Sequence, residues 1–143
     1  MFKDDLKEWK QVEREFAARL MKYDLVDIQF SQWAFKDYDI KATFNKNWKL
    51  IEKTYEVKRD KKSDNSGNVW IEYMCNGEPS GIYTSKADVI VYKLGDKFYY
   101  ADRIRLIIEL SRLHKADVIW GDNDSSQMWL IDKDVFKLHT TEI

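Results

Sequence analysis

Apolar residues recur at three- and four-residue spacing near the start of the chain: Leu6, Trp9, Val12, Phe16 and Leu20. That period puts them on one stripe of a helix from about Asp4 to Lys22, with charged residues opposite. The pattern then changes. LVDIQFSQW, from Leu25, reads as a strand, and Tyr38–Phe44 and Leu50–Lys58 as the next two. NKN between those two carries turn residues. KRDKKSDNSGN is a loop by composition, Val69–Cys75 a strand, and NGEPSG the turn that closes it. Asp88–Leu94 and Lys97–Ala101 flank Gly95–Asp96, as in a hairpin. Asp102 is placed to cap a helix running to His114, with Ile104, Ile107, Ile108 and Leu110 as its apolar side. Val118–Trp120 and Gln127–Ile131 are short strands around GDNDSS, and Asp132–Leu138 forms a last helical turn or two. This order predicts an α/β fold, one mixed sheet with helices packed on it.

The length of 143 residues fits a single domain, 1–143, with one core. One Cys excludes an internal disulfide framework, and with only two His it argues against structural zinc. Cys75, in an apolar strand, reads as a buried thiol. No apolar run approaches the ~18–20 residues of a membrane span. MFKDDLKEWK lacks the apolar stretch of a signal peptide. The expectation is a soluble, cytoplasmic protein with no membrane partner.

Aromatics make up 15% of the chain, enough to raise the question of base stacking. Trp9, Phe16, Phe44, Trp70 and Trp129 fall at apolar positions and read as core. Tyr83, near a turn and Lys86, is the better stacking candidate.

A net charge of −1 excludes a uniformly basic binder, but the charge is unevenly spread. Lys41 to Lys62 holds eight basic residues against three acidic ones; Asp117 to Ile143 holds six acidic residues and two lysines. A basic segment of this kind attracts polyanions even when the whole molecule is near neutral.

That segment contains acid-x-Lys pairs. The pattern occurs five times: Asp5–Lys7, Glu8–Lys10, Asp39–Lys41, Glu56–Lys58 and Asp60–Lys62. The first two lie on the predicted helix and the last in a loop. Residues i and i+2 of a strand project to one face about 7 Å apart, so Glu56 and Lys58 share a face. A neighbouring strand can bring Asp39 beside them. Two carboxylates and a backbone carbonyl form a hard oxygen site suited to Mg²⁺, with Mn²⁺ as a substitute. The plain alternative is that Glu56 and Lys58 form an exposed ion pair.

Asp39 followed by Glu56–Val57–Lys58 resembles the PD-(D/E)xK nuclease superfamily, which includes restriction endonucleases and archaeal Holliday junction resolvases. Tyr38 stands where that motif has Pro. The run Glu13–Arg14–Glu15…Leu20 is similar to the first helix of the archaeal resolvases, and TYEVKRD, SGNVWIEY and GEPSGIYTSKAD to small phage-type nucleases. The resemblance implies a restriction-endonuclease-like mixed central sheet flanked by helices. It implies a Mg²⁺-dependent deoxyribonuclease, structure-selective or resolvase-like, in phage-type DNA processing and encoded by a phage in a bacterial host. Asp39, Glu56 and the Val57 carbonyl would hold the metal, Glu13 would join them, and Lys58 would assist the attacking water. Glu72, Ser80 and Lys86 would be secondary site residues, and Arg59, Lys61 and Lys62 would contact DNA. A non-catalytic DNA-binding or nuclease-accessory module on the same fold is the alternative. A C2 homodimer is expected, through Val89–Tyr92 or the helix around Ile104–Leu110.

Overall fold

The computed structural model describes residues 2–31, 37–59, 61–120 and 125–143, apart from the side chains of 2–6, 62 and 120. The Leu6 and Lys62 side chains, Gln32–Trp33 of the first expected strand and most of GDNDSS lie outside the described residues. The chain opens with helix α1 (Phe2–Leu20) and continues through β1 (Leu25–Phe30), β2 (Ile40–Lys46) and β3 (Lys49–Arg59). A short helix α2 (Lys61–Asn65) stands inside the expected loop, before β4 (Asn68–Cys75) and β5 (Glu78–Pro79). A 3₁₀ turn (Gly81–Tyr83) leads to β6 (Val89–Leu94), β7 (Lys97–Asp102) and α3 (Arg103–Leu113). Then come β8 (Ala116–Trp120), β9 (Ser126–Asp132), α4 (Lys133–Leu138) and β10 (Thr141–Glu142). Among the described residues, no helix is long and apolar enough to cross a membrane.

The fold is mixed α/β, as expected, but its strands form two sheets where the sequence pattern predicts one. The first has six strands in the order β1-β2-β3-β6-β7-β10; the second has four, β5-β4-β9-β8. Within the first, β3 and β6 run parallel, with Glu56 beside Ile90 and Lys58 beside Tyr92. The hairpin β2–β3 turns at Asn47–Trp48, both with positive φ, starting on the last residue of the expected NKN turn. Periodicity along single strands carries no information on which strands share a sheet, so the division was not legible.

Alternation along the six-stranded sheet separates two cores. Val12, Phe16, Ala17 and Leu20 of α1 pack on Ile40, Ala42, Tyr55, Val89, Val91 and Phe98. Ile90, Tyr92, Leu94, Tyr99 and Ala101 point the other way, into a core with Val69, Ile71, Leu106, Leu110, Trp129, Ile131 and Phe136. The sheet is therefore a middle layer, with α1 on one face and the second sheet, α3 and α4 on the other.

Several expected positions shift. Trp9, expected in the core, is 64% exposed. Cys75 is half-buried, not buried. On α3 the core-facing residues are Leu106 and Leu110, while Ile104 and Ile108 stand 55% and 50% exposed. The helix is capped at Asp102 as expected, its side chain accepting the Arg105 N–H. Val89–Tyr92 are buried in a strand flanked by β3 and β7, so this segment offers no dimer surface.

Candidate active site

Asp39 stands just before β2. The pair Ile40–Tyr55 fixes the register of β2 on β3, which brings Asp39 alongside Glu56. The Asp39 N–H donates to the Tyr55 carbonyl at 2.8 Å, and Asp39 Oδ2 accepts the Val57 N–H at 2.7 Å. Asp39 is only 8% exposed. Glu56 and Lys58 project from the same face of β3, and Lys58 Nζ lies 3.2 Å from Glu56 Oε2. That oxygen is shielded from solvent and accepts no hydrogen bond of good geometry among the described residues. The structure thus brings together Asp39, Glu56 and Lys58.

Their face explains the site's character. Tyr55 and Val57 alternate towards α1, so Glu56 and Lys58 face the opposite side. On that side β1–β3 carry polar residues in register: Asp27 opposite Thr43, Gln29 opposite Lys41, Thr43 opposite Glu52 and Lys41 opposite Thr54. Across the parallel pair, β6 presents Ile90 and Tyr92 to the second core. The carboxylates sit where a polar half-sheet meets an apolar wall.

The loop before β6 borders this face. Asp88 Oδ2 accepts both the Thr54 N–H and the Thr54 hydroxyl, and the Asp88 N–H donates back to Thr54 Oγ1 at 2.9 Å. These bonds lock the start of β6 onto β3. Lys86 lies 3.7 Å from Asp37, two residues before Asp39. It is the secondary candidate that the fold carries towards the site.

Other candidates lie elsewhere. Arg59 alternates to the α1 face, where it meets Glu8 at 3.1 Å and Asp64 at 3.4 Å. Lys61 also reaches Glu8, at 3.5 Å. Both cations are compensated by acids and turned away from Glu56. Glu72 alternates away from Val69 and Ile71, to the outer face of the second sheet. There it accepts hydrogen bonds from Ser80 Oγ at 3.1 Å and Ser126 Oγ at 2.9 Å. Gly81 beside it is obligatory: φ is +55°, and a Cβ would lie 2.2 Å from the Glu72 carbonyl oxygen. Glu13 is buried on α1. Among the described residues, no group of three or more His, Cys, Asp and Glu is gathered as metal ligands would be. Tyr83 is exposed, with its ring edge-on to Trp129 at 5.5 Å and to Tyr73 at 6.2 Å.

Sequence reasoning missed the Asp88–Thr54 clamp and the Asp37–Lys86 contact, because neither residue pair shares a local pattern.

The fold has a known counterpart. The chain superposes on the structure of a bacterial homing endonuclease, I-Ssp6803I, with a TM-score of 0.52 and 16% identity, over 87% of this chain and 76% of that one. The fold is nuclease-like. No protein-family model and no curated protein matches the chain.

Proposed function

We propose that this protein is a metal-dependent deoxyribonuclease of the PD-(D/E)xK type. One observation carries the reading: a nuclease-like fold sets Asp39 next to Glu56, with Lys58 on the same face. The donor set fits a hard divalent cation. Asp39, Glu56 and the Val57 carbonyl supply oxygen alone, and Glu56 Oε2 is shielded from water and, beside its ion pair with Lys58, accepts no hydrogen bond of good geometry among the described residues. Mg²⁺ held there, or Mn²⁺ in its place, would polarise a phosphodiester and acidify a water molecule.

The chain's own groups do the rest. The Val57 N–H fixes the Asp39 carboxylate before any ligand arrives. Lys58 offers an ammonium beside Glu56, able to orient a water or to neutralise charge developing on the scissile phosphate. Lys86 borders the polar face and would hold a flanking phosphate. Glu13, Glu72 and Ser80 belong to the same reading as supporting residues with smaller effects. Assembly into a C2 dimer would run through the exposed Ile104–Ile108 face of α3, and sedimentation of an Ile104→Lys variant tests it.

The deciding assay offers labelled duplex, single strand and four-way junction DNA with Mg²⁺, Mn²⁺, Ca²⁺ or EDTA. Cleavage is expected with Mg²⁺ and Mn²⁺, little turnover with Ca²⁺, and none in EDTA. Undiminished cleavage in EDTA would sink the metal mechanism. Tight DNA binding without cleavage under any cation would instead favour the accessory-module alternative.

A further inference from the structure

The face of the six-stranded sheet that carries α1 holds a cavity of about 460 Å³ beyond the C-terminal end of that helix. The volume lies within the usual range for small-molecule sites. Its floor is aromatic. Tyr55 is buried, Phe44 and Tyr100 are half-buried, and Phe16 supports Tyr55 from the core at 5.4 Å. Its rim is cationic. Lys53 stands two residues from Tyr55 on β3, and Lys46 two residues from Phe44 on β2, so each strand sets a ring and an ammonium side by side on one face. Lys22 adds a third ammonium, 5.6 Å from the Tyr23 ring. Among the described residues, Asp24 is the one carboxylate side chain at the cavity wall. Neither Lys46 nor Lys53 has an ion-pair partner among the described residues.

The polar groups here are mostly donors. Burial pushes the Tyr55 and Tyr100 phenols up from their ordinary range, so both keep their O–H. A fitting ligand therefore needs a planar apolar body for the floor and an anionic acceptor for the rim. We propose that this cavity binds a nucleotide unit, with the base against Tyr55, Phe44 and Tyr100 and the phosphate among Lys22, Lys46 and Lys53. The proposal stands apart from the Asp39–Glu56 site, which occupies the other face of the sheet. A free nucleotide and a phosphorylated strand end share this chemistry.

Calorimetric titration of the full chain in EDTA tests it without engaging the metal reading. The probes are a deoxynucleoside 5′-monophosphate, a short 5′-phosphorylated oligonucleotide, the unphosphorylated nucleoside and inorganic phosphate. Saturable binding of the monophosphate or the phosphorylated oligonucleotide is expected, each stronger than phosphate or nucleoside alone. Lys53→Ala and Lys46→Ala should weaken it about tenfold when combined, a loss of ~1.4 kcal/mol, and Tyr100→Phe by less. Lys41→Ala, on the opposite face, should bind as the parent does. Binding of the monophosphate identifies a small-molecule site, and binding of the oligonucleotide alone a strand-end site. Three results would overturn the proposal: no saturation by either at about 1 mM, phosphate binding as tightly as nucleotide, or folded Lys46/Lys53 variants that bind unchanged.

Discussion

Asp39 is tied to the strand that carries Glu56. Its Oδ2 accepts the Val57 N–H at 2.7 Å, while its own N–H donates to the Tyr55 carbonyl. The two bonds bracket Glu56, so one carboxylate is positioned by the backbone on either side of the other. Asp39→Ala should leave the Val57 N–H without its acceptor and cost about 1–3 kcal/mol in urea denaturation. Asp39→Asn keeps an acceptor and should retain most of that stability. Both should abolish cleavage. An Asn variant as unstable as the Ala variant would mean that the charge, and not the hydrogen bond, holds the strands.

Catalysis and binding should separate at β3. Glu56→Gln is nearly isosteric but a poor ligand for a hard cation. Lys58→Ala keeps both carboxylates and removes the adjacent ammonium. Each should lower the cleavage rate by at least about 10²-fold with little change in DNA affinity measured by anisotropy. Lys41→Ala is the control. The register opposes Asp27 to Thr43, four residues and about 13 Å along β2 from Asp39. Asp27 is therefore poorly placed to pair with Asp39–Lys41. A dead Lys41 variant beside an active Lys58 variant would nevertheless move the motif there.

The compensated cations set a salt prediction. Arg59 and Lys61 already meet Glu8 and Asp64. Lys61→Ala should change the slope of log affinity against log salt by well under one unit. Lys86→Ala, whose partner Asp37 is exposed, should reduce it by about 0.9, the value for one phosphate contact. Equal slopes for the two variants would show that the α1 side touches DNA as well.

The Glu15–Lys93 pair gives a pH signature. Lys93 Nζ lies 2.7 Å from Glu15 Oε2 and holds that carboxyl below its ordinary value, chiefly by this hydrogen bond. The unfolded carboxyl takes up its proton at a higher pH, so the contribution to stability is present at neutral pH. It declines as pH falls below the ordinary Glu range and is gone below the lowered value. Carboxyl-detected NMR should place the Glu15 midpoint below that of free Glu, and Lys93→Met should return it upward. An unmoved midpoint would remove the pair from the acid response.

Much of this was legible from spacing alone. The α1 stripe, the β2–β3 hairpin and the Glu56–Lys58 face follow from periods of 3.6 and 2, and Asp102 from capping chemistry. What escaped depends on distant partners. Ile104 and Ile108 share the expected stripe with Leu110, yet Leu106 takes their place beside Leu110 in the core because β9 and the 3₁₀ turn pack on that side. Arg59 follows Lys58 in a basic run, but one step along a strand reverses its face and delivers it to Glu8. Glu72 reads as a free strand carboxylate until the chain folds back to present Ser80 and Ser126.

The parallel register of β3 on β6 also sets when the site can come into being. Asp39, Glu56 and Lys58 lie within twenty residues, and a hairpin can align them early. Their apolar wall, Ile90 and Tyr92, arrives only after the chain has passed through α2, β4, β5 and the 3₁₀ turn. Closing such a loop carries its entropy cost before the contacts that reward it form. The carboxylates therefore meet first in a solvated ribbon and gain their low-dielectric backing late. A nascent or truncated chain ending before β6 holds every candidate catalytic residue and still lacks the surroundings that would make them act.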